Sequence, residues 1–243
     1  MRKVLMVQQR MESTRFPEKA VALIEGHTLT WHVLNRARRA EVDETVLIMP
    51  REKTDQTQLV KDANSLGLRA IVYNGNPSDL VARHYAAAID TDADTIVRVP
   101  SDNPCTDPHE INRAIRLFER VKPPPHYLVT TLDQNVNNNG YPGGLGAEVY
   151  SREFMTWMAD TITEPRHREH PHKWAMETQR VVTTYAHPEI RYPDLKLSVD
   201  TPEELQFIRG IYSALYPTNP DFRIRDIIKY LTVDGRIKEN SLG

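Results

Sequence analysis

Three cationic side chains follow the first apolar run of the chain. Arg10, Arg15 and Lys19 lie in one short segment directly after residues 4–7. Guanidinium groups bind phosphate oxygens with a planar fork, and an ammonium group acts as a mobile point charge. The segment lacks the glycines of a P-loop or a dinucleotide-binding turn, so those modes of phosphate binding do not apply. The residue types predict a polyphosphate site, while a loop with solvated charges is the alternative that spacing alone leaves open.

Two aspartates form a second candidate site. Asp102 and Asp200 each follow a short apolar run that is typical of a buried strand. The helices predicted after them already have N-cap residues, Asp107 and Thr201, so capping explains neither aspartate. Two carboxylates and a triphosphate supply the hard oxygen ligands that Mg²⁺ requires. The pair therefore suggests a metal site, and a surface carboxylate is the open alternative.

A histidine-rich segment, residues 166–173, is the third candidate. Pro171 interrupts the helical spacing that would place two histidines on one metal ion, and no thiol is near, so zinc is disfavoured. A basic patch for an anionic substrate fits the composition better, and a solvated helix end is the alternative. The single cysteine, Cys105, has no nearby histidine arrangement and is interpreted as a small buried residue.

Short β-rich runs alternate with helix-length amphipathic segments, and these elements must position the candidate residues. The pattern predicts a mostly parallel sheet built from right-handed βαβ units: a Rossmann-like α/β three-layer sandwich, as a single domain over residues 1–243. In such a sheet ligands bind beyond the carboxyl ends of the strands, which places the cationic segment and both aspartates at one edge. Residues 134–146, rich in Asn and Gly, predict a long mobile loop. Predicted strands are residues 4–7, 45–49, 70–73, 95–99, 127–131, 147–150 and 196–199, and predicted helices are residues 29–40, 55–66, 79–89 and 108–120.

Composition excludes several classes of protein. The 243 residues are 40% hydrophobic and 26% charged, which is too apolar for disorder. No apolar run approaches the length of a membrane helix, and the chain starts directly with a predicted strand, without a signal peptide. A formal net charge of −2 argues against a nucleic-acid binder. One cysteine excludes a disulfide framework. We expect a cytoplasmic globular enzyme or small-molecule binder, with neither a nucleic acid nor a membrane as partner.

Taken together, these segments resemble the SpsF-like branch of the sugar-acid cytidylyltransferases, which are related to the CMP-KDO and CMP-sialate synthetases. Residues 10–19 fit the family signature R-x-x-S-x-R-x-P-x-K in full. Residues 73–85 are similar to the second nucleotide-side motif, and residues 101–104 to the G-D-x-P metal motif. Residues 141–149 match an acceptor-side motif, and residues 168–170 and 199–203 match the remaining two.

The resemblance implies a nucleotidyltransferase-type fold and a role for each matching residue. Asp102 and Asp200 would bind Mg²⁺, and with Arg10 and Lys19 they would be the catalytic residues. The family also suggests a homodimer. The nucleotide would be bound by Gln9, Arg10, Ser13, Arg15, Lys19, Asn74, Arg83 and Ser101, and the acceptor by Tyr141, Glu148, Arg168, Glu169 and His170.

Three positions depart from the family pattern. Ser101 and Glu18 each replace a glycine, and the backbone can still reach the phosphates at both positions. Gly146 stands where many relatives carry an acid, which favours a more anionic acceptor such as a phosphonate or a phosphorylated acid.

The resemblance thus implies a Mg²⁺-dependent cytidylyltransferase of polysaccharide or phosphonate biosynthesis. It would transfer CMP from CTP to an acidic acceptor, either a sugar acid or a phosphonate, and release pyrophosphate. Two alternatives stay open. One is a nucleotidyltransferase that uses another nucleoside triphosphate or a sugar 1-phosphate, and the other is a non-catalytic nucleotide-binding protein of the same fold.

Overall fold

A seven-stranded sheet forms the middle layer of the molecule, seen in a computed structural model that describes residues 1–11, 16–51, 56–122, 128–130 and 139–238. Two very short strands, β2 and β3, pair separately as an antiparallel ribbon. The strands are β1 (Lys3–Gln8), β2 (Leu23–Ile24), β3 (His27–Thr28), β4 (Glu44–Pro50), β5 (Arg69–Tyr73), β6 (Thr95–Pro100), β7 (Leu128–Thr130), β8 (Glu148–Ser151) and β9 (Val181–Thr183).

The order of the strands places a crevice between β1 and β6. The sheet runs β5-β4-β1-β6-β8-β7-β9, and among the described strands of this sheet only β8 is antiparallel to its neighbours. From β1 the chain first builds outward through β4 to β5 and then returns to the other side of β1 with β6. At such a reversal the loops after the two central strands diverge and leave a crevice at their carboxyl ends.

Helices cover both faces of the sheet. Side-chain caps fix where several of them begin: Asp107 accepts a hydrogen bond from His109 N at 2.9 Å, and Thr201 forms a capping box with Glu204. The helices are α1 (Leu29–Ala37), α2 (Thr57–Ser65), α3 (Leu80–Asp90), α4 (Pro108–Val121), α5 (Arg152–Thr161), α6 (Pro165–Glu169), α7 (Pro171–Glu177), α8 (Pro202–Leu215) and α9 (Ile224–Val233), with short 3₁₀ turns at Lys19–Val21 and Pro188–Ile190.

The alternation of side chains along the strands divides the core into two clusters. Leu5 and Val7 of β1 pack with apolar residues of α1, α4, α8 and α9, whereas Val4 and Met6 pack with those of α3 and α5. Because both faces are buried, the central strands are apolar throughout, as the sequence indicated. The predicted three-layer α/β fold with a mostly parallel sheet is confirmed.

The structure corrects one predicted strand. Residues 196–199 do not form a strand, and the segment makes a single bridge, between Lys196 and Gly143. Its apolar pattern reflects burial of Leu197 and Val199 in the core, not pairing along a neighbouring strand. The ends of two other predicted elements, at residues 55, 127 and 131, lie outside the described residues. None of the helices in the described ranges has the length and apolar character that a membrane crossing requires.

Candidate active site

A cavity of about 810 Å³ opens at the carboxyl ends of β1 and β6. It brings together most of the residues that the sequence singled out, although they come from distant parts of the chain. Of the predicted residues, those that line it are Gln9, Arg10, Lys19, Arg83, Ser101, Asp102, Glu148, Glu169, His170 and Asp200.

One lysine joins the two candidate metal ligands. The ammonium nitrogen of Lys19 lies 3.5 Å from Oδ2 of Asp102 and 3.3 Å from Oδ1 of Asp200. It also donates a hydrogen bond to the carbonyl of Val199 at 2.8 Å. Glu18 has a left-handed backbone with a φ of 57°, which turns the chain just before Lys19. The two carboxylates therefore converge on one point of the cavity.

A second lysine lies on the other side of Asp200. Lys196 Nζ is 3.1 Å from Oδ2 of Asp200 and 2.5 Å from Oε1 of Glu204. Partial burial of Asp200 opposes its ionisation, but the charges and hydrogen bonds of Lys19 and Lys196 outweigh burial and lower its pKa. Asp200 is therefore a carboxylate at neutral pH, as a metal ligand must be.

Backbone contacts hold Asp200 beside Asp102. Val199 N donates to the carbonyl of Asp102 at 2.8 Å, and Leu197 N donates to that of Gly143 at 2.8 Å. Gly144 has a φ of +90°, and a Cβ there would lie 2.6 Å from Ser198 N. Only glycine therefore allows this turn to approach the segment that carries Asp200.

Gln9 links the ends of β1 and β6. Its side-chain nitrogen donates to Thr30 Oγ1 at 2.9 Å, and its side-chain oxygen accepts from Ser101 Oγ at 2.7 Å and from Arg10 N at 3.0 Å. Arg83 reaches the same place from α3, with Nη1 3.5 Å from the carbonyl of Gln9. This side of the cavity is thus preorganised by protein contacts, because Gln9 is buried and fixed from three sides.

A buried ion pair forms the floor on the opposite side. Arg98 of β6 and Glu148 of β8 are paired on two adjacent antiparallel strands, with Nη1 and Oε2 2.7 Å apart. Their side chains are only 6% and 2% exposed. Gln8 accepts a hydrogen bond from Arg98 Nε at 3.0 Å, and His172 Nδ1 lies 3.9 Å from Glu148 Oε1. Although burial disfavours the charged guanidinium, Glu148 outweighs it and raises the pKa of Arg98. Arg98 therefore stays a cation.

Two further residues of the predicted acceptor group flank this floor. Glu169 Oε1 lies 4.0 Å from Nη1 of Arg10, and the rings of His170 and His172 are 5.9 Å apart. Burial, together with nearby Lys173, lowers the pKa of His170 below its ordinary value. His170 is consequently a neutral imidazole at neutral pH and can accept or donate a hydrogen bond.

The structure does not place Asn74 or Arg168 at the cavity. The side-chain oxygen of Asn74 accepts a hydrogen bond from Arg51 Nε at 2.5 Å. Arg168 donates through Nε to Asp79 at 2.7 Å and through Nη1 to the carbonyl of Ile162 at 2.7 Å. Arg168 thus fastens α6 to the start of α3, and it is not among the residues that line the cavity.

Tyr141 is also away from the cavity. It is fully buried, and its hydroxyl donates to Glu110 at 2.8 Å and accepts from Arg113 at 2.9 Å. In the described part of the predicted loop, residues 139–146, Leu145 is likewise fully buried, so this part packs as core. Residues 134–138 of that loop, and the predicted nucleotide ligands Ser13 and Arg15, lie outside the described residues.

The donor set fits a hard divalent cation. The carboxylates of Asp102 and Asp200 both lie close to the ammonium group of Lys19. Two carboxylates at one place suit Mg²⁺, which proteins commonly bind jointly with phosphate oxygens and water. Among the described residues no group of three or more His, Cys, Asp or Glu is arranged to hold a metal ion, so the protein alone provides no complete cage. The thiol of Cys105 is buried, which raises its pKa to about 12, so Cys105 is no nucleophile.

Sequence reasoning did not single out three of the charged residues that line the cavity, namely Arg98, Asp194 and Lys196. Arg98 sits in an apolar strand, and only the pairing of β6 with β8 shows that it faces Glu148. Lys196 gave no usable signal, because a spacing of four residues brings side chains together only on a helix and residues 196–200 are not helical.

Comparison with known proteins gives consistent results. A family model described as "Cytidylyltransferase" matches residues 4–153. A 3-deoxy-manno-octulosonate cytidylyltransferase from Chloroherpeton thalassium is 24% identical over 93% of this chain and 93% of its own length. A cytidylyltransferase structure from Leptospira borgpetersenii superposes with a TM-score of 0.86 at 21% identity, covering 100% of this chain and 99% of that one. A CMP:2-keto-3-deoxy-manno-octonic acid synthetase in complex with CTP gives 0.65 at 17% identity, covering 88% and 99%.

Proposed function

We propose that this chain, which belongs to the cytidylyltransferase family and is a CTP-dependent nucleotidyltransferase, transfers CMP from CTP to a small acidic acceptor. In this proposal Mg²⁺ is the cofactor and pyrophosphate is the leaving group. The observation that carries this proposal is the convergence of Asp102, Asp200 and Lys19 at the crevice between β1 and β6. The two carboxylates line a cavity and share a lysine whose side chain is only 15% exposed, so they are not an isolated pair on the surface.

The nucleotide binds on the side of the cavity formed after β1. Arg10 and Lys19 face the polyphosphate, and Arg15 joins them as the sequence signature predicts. Gln9 and Ser101, fixed to each other at 2.7 Å, and Arg83 shape the wall behind it. Because Gln9, Ser101 and Arg83 already form hydrogen bonds with protein groups, their main effect is to restrict where the nucleotide lies, and their electrostatic contribution to its binding is smaller.

Asp102 and Asp200 would hold the metal ion through their carboxylate oxygens. When bound, Mg²⁺ supplies Lewis-acid polarisation of the phosphate oxygens and of the acceptor oxygen. This arrangement uses the hard oxygen donors that the two carboxylates present.

The reaction is an in-line displacement at the α-phosphorus. A bond forms between an acceptor oxygen and the α-phosphorus, the bond from that phosphorus to the bridging oxygen breaks, and pyrophosphate takes the electron pair. An acceptor hydroxyl releases its proton to water, whereas an acid or phosphonate oxygen attacks in its ionised form. Lys19 offsets negative charge that develops on the phosphoryl oxygens, and Arg10 holds the departing pyrophosphate. The protein's contribution is therefore positioning and charge stabilisation.

The acceptor lies against the floor made by Arg98 and Glu148. A guanidinium beside a carboxylate, with Glu169, His170 and His172 around them, presents hydrogen-bond donors and acceptors without a large net charge. This chemistry suits a polyhydroxylated acid or a phosphonate, whose hydroxyl and acid groups need both kinds of partner.

Nucleotide-dependent thermal unfolding is the first test, because it needs no acceptor. CTP, UTP, ATP and GTP are compared, each with and without Mg²⁺. At about 100 times its dissociation constant a ligand adds roughly 2.7 kcal/mol to the free energy of unfolding, a shift of a few degrees. A Mg²⁺-enhanced shift with CTP alone is expected, and a larger shift with another nucleotide contradicts the base preference.

Pyrophosphate release with a panel of sugar acids and phosphonates then tests the acceptor class. Activity restricted to sugar 1-phosphates would contradict an acidic acceptor. The homodimer that the resemblance suggests is likewise part of the proposal, and the molar mass from light scattering tests it.

A further inference from the structure

Both carboxylate oxygens of Asp200 already face a cation. Oδ1 lies 3.3 Å from Lys19 and Oδ2 lies 3.1 Å from Lys196. Asp102 shares the first of these lysines at 3.5 Å. In the protein without ligands, the charge that a divalent cation needs at Asp200 is therefore balanced by two ammonium groups.

The two lysines differ in how firmly they are held. Lys19 has a side chain only 15% exposed and also donates to the carbonyl of Val199. Lys196 has a side chain 46% exposed and has a second acidic partner, Glu204, at 2.5 Å. Lys196 can thus leave Asp200 without losing its ion pair, whereas Lys19 has no comparable second carboxylate outside the site among the described residues.

Glu204 is well suited to receive Lys196. Its other oxygen, Oε2, accepts from Asp200 N at 2.5 Å and from Thr201 N at 3.1 Å, which fixes the carboxylate at the start of α8. The partner that Lys196 would keep is therefore rigid, and the same contacts hold the backbone of Asp200 in place when its side chain changes partner.

We infer that Lys196 is the resident counter-cation of Asp200, and that a divalent cation binds Asp200 fully only after Lys196 has withdrawn to Glu204. Lys196 is a positioning residue in this scheme, because it acts through Asp200. The inference rests on the proposed function in taking Asp200 as a metal ligand. It follows that the protein binds divalent cations weakly by itself, and that the nucleotide, by bringing phosphate charge to Lys19, favours metal binding.

The test is the dissociation constant of Mn²⁺, measured by electron paramagnetic resonance on the full-length protein without nucleotide. Lys196→Met removes the charge and keeps most of the side-chain length. We expect this variant to bind Mn²⁺ about 5- to 10-fold more tightly, because it loses a unit charge that opposes the ion at close range. Lys196→Arg keeps the charge and is expected to bind like the wild type.

Lys3→Met is the matched control. Lys3 forms an ion pair of 2.8 Å with Glu119 and belongs to the opposite end of β1 from the cavity. This variant has the same net charge as Lys196→Met, so unchanged Mn²⁺ binding shows that the effect is local.

The outcomes separate the inference from the proposed function. Equal or weaker Mn²⁺ binding by Lys196→Met overturns the inference. If Mn²⁺ binds equally well to Asp200→Asn, the ion is elsewhere and the proposed metal site fails. Binding that depends on Asp200 but ignores Lys196 removes only the inference.

Discussion

At the residue scale, Asp102 and Asp200 carry the proposal, and each has an isosteric uncharged replacement. Asp102→Asn and Asp200→Asn keep the volume but remove a carboxylate from the point where Lys19 joins them. A metal ion contributes several kcal/mol of charge stabilisation, so we expect turnover to fall by about 100-fold or more in either variant. Pyrophosphate release measures this loss. A variant that folds and retains near-wild-type turnover would remove that residue from the metal site.

The sequence was most informative where a candidate residue follows a strand of the parallel sheet. Asp102 comes just after β6, so its place at the carboxyl edge follows from the chain order. Asp200 reaches the same edge although residues 196–199 form no strand, because Val199 N donates to the carbonyl of Asp102.

Tyr141 and Arg168 do not line the cavity, and the sequence could not show this because a tyrosine hydroxyl and a guanidinium bind whatever partner the fold brings near. Here those partners are Glu110 and Asp79, neither of which sequence spacing could pair with them.

At the scale of elements, the turn at Gly144 sets the position of the segment that carries Asp200. Gly144→Ala combines an unfavourable positive φ with contacts of 2.6 and 2.7 Å to the backbone of Ser198 and Leu197. We expect a loss of about 3 kcal/mol or more in the free energy of unfolding, together with weaker Mg²⁺-dependent CTP binding. Urea denaturation and thermal shift with CTP measure the two effects.

Gly67→Ala is the control for that prediction. Gly67 also has a positive φ, of +70°, but no heavy atom lies within 4 Å of an added Cβ. It is expected to cost about 1–2 kcal/mol and to leave CTP binding intact. Equal costs and equal CTP binding in both variants would show that the close approach at Gly144 does not matter.

The ion pair between β6 and β8 provides a second prediction at this scale. Arg98→Met leaves the carboxylate of Glu148 buried without its partner, and we expect it to cost about 3–5 kcal/mol. Arg98→Met combined with Glu148→Leu removes both charges and is expected to recover most of that stability. The urea midpoints of the three proteins test this. If the losses simply add in the double variant, the two side chains are not coupled.

The double variant also separates stability from recognition. Arg98 and Glu148 line the part of the cavity that the proposal gives to the acceptor. We therefore expect the folded double variant to keep its CTP-dependent thermal shift and to lose acceptor-dependent pyrophosphate release. Conversely, full activity would mean that the pair serves only the packing of the sheet.

The same pair shows where element prediction from sequence stops. The register that sets Arg98 opposite Glu148 is a long-range pairing, and β8 is the described strand that runs against its neighbours in the sheet. Residues 196–199 illustrate the reverse error: a strand-like pattern arises wherever a segment buries alternate side chains, as Leu197 and Val199 do. Burial is encoded in the pattern, whereas the hydrogen-bonding partner is not.

At the scale of the whole molecule, the fold class followed from the alternation of strand and helix patterns. Strands buried on both faces need helices on both sides, and consecutive parallel strands need crossovers, so few architectures fit. The last part of the sheet, with β8 antiparallel and β7 beside β9, could not be predicted because strand order depends on tertiary contacts.

Two buried histidines, one on each side of the sheet, make the stability of the molecule depend on pH. Burial chiefly, against a hydrogen bond to the carbonyl of Ile24, lowers the pKa of His32 to about 4. Burial, followed by the charge of Arg98, lowers the pKa of His84 to about 3. Both are therefore neutral in the folded protein at neutral pH, whereas in the unfolded chain each takes up a proton near its ordinary pKa of 6.5.

The sign of the effect follows from where the protons bind. Above pH 6.5 neither state is protonated at these histidines and their contribution to stability is complete. As the pH falls from 6.5 toward 4, the unfolded state binds protons that the folded state refuses, so the free energy of unfolding decreases. Each histidine contributes a slope of about 1.4 kcal/mol per pH unit in this window.

Urea denaturation at intervals between pH 7 and pH 4.5 measures how the free energy of unfolding depends on pH. We expect one histidine's slope to disappear in His84→Leu and in His32→Leu, and both slopes to disappear in the double variant. A slope that is unchanged in all three variants would place the acid sensitivity in other groups, and would mean that the two histidines ionise in the folded protein as readily as in the unfolded chain.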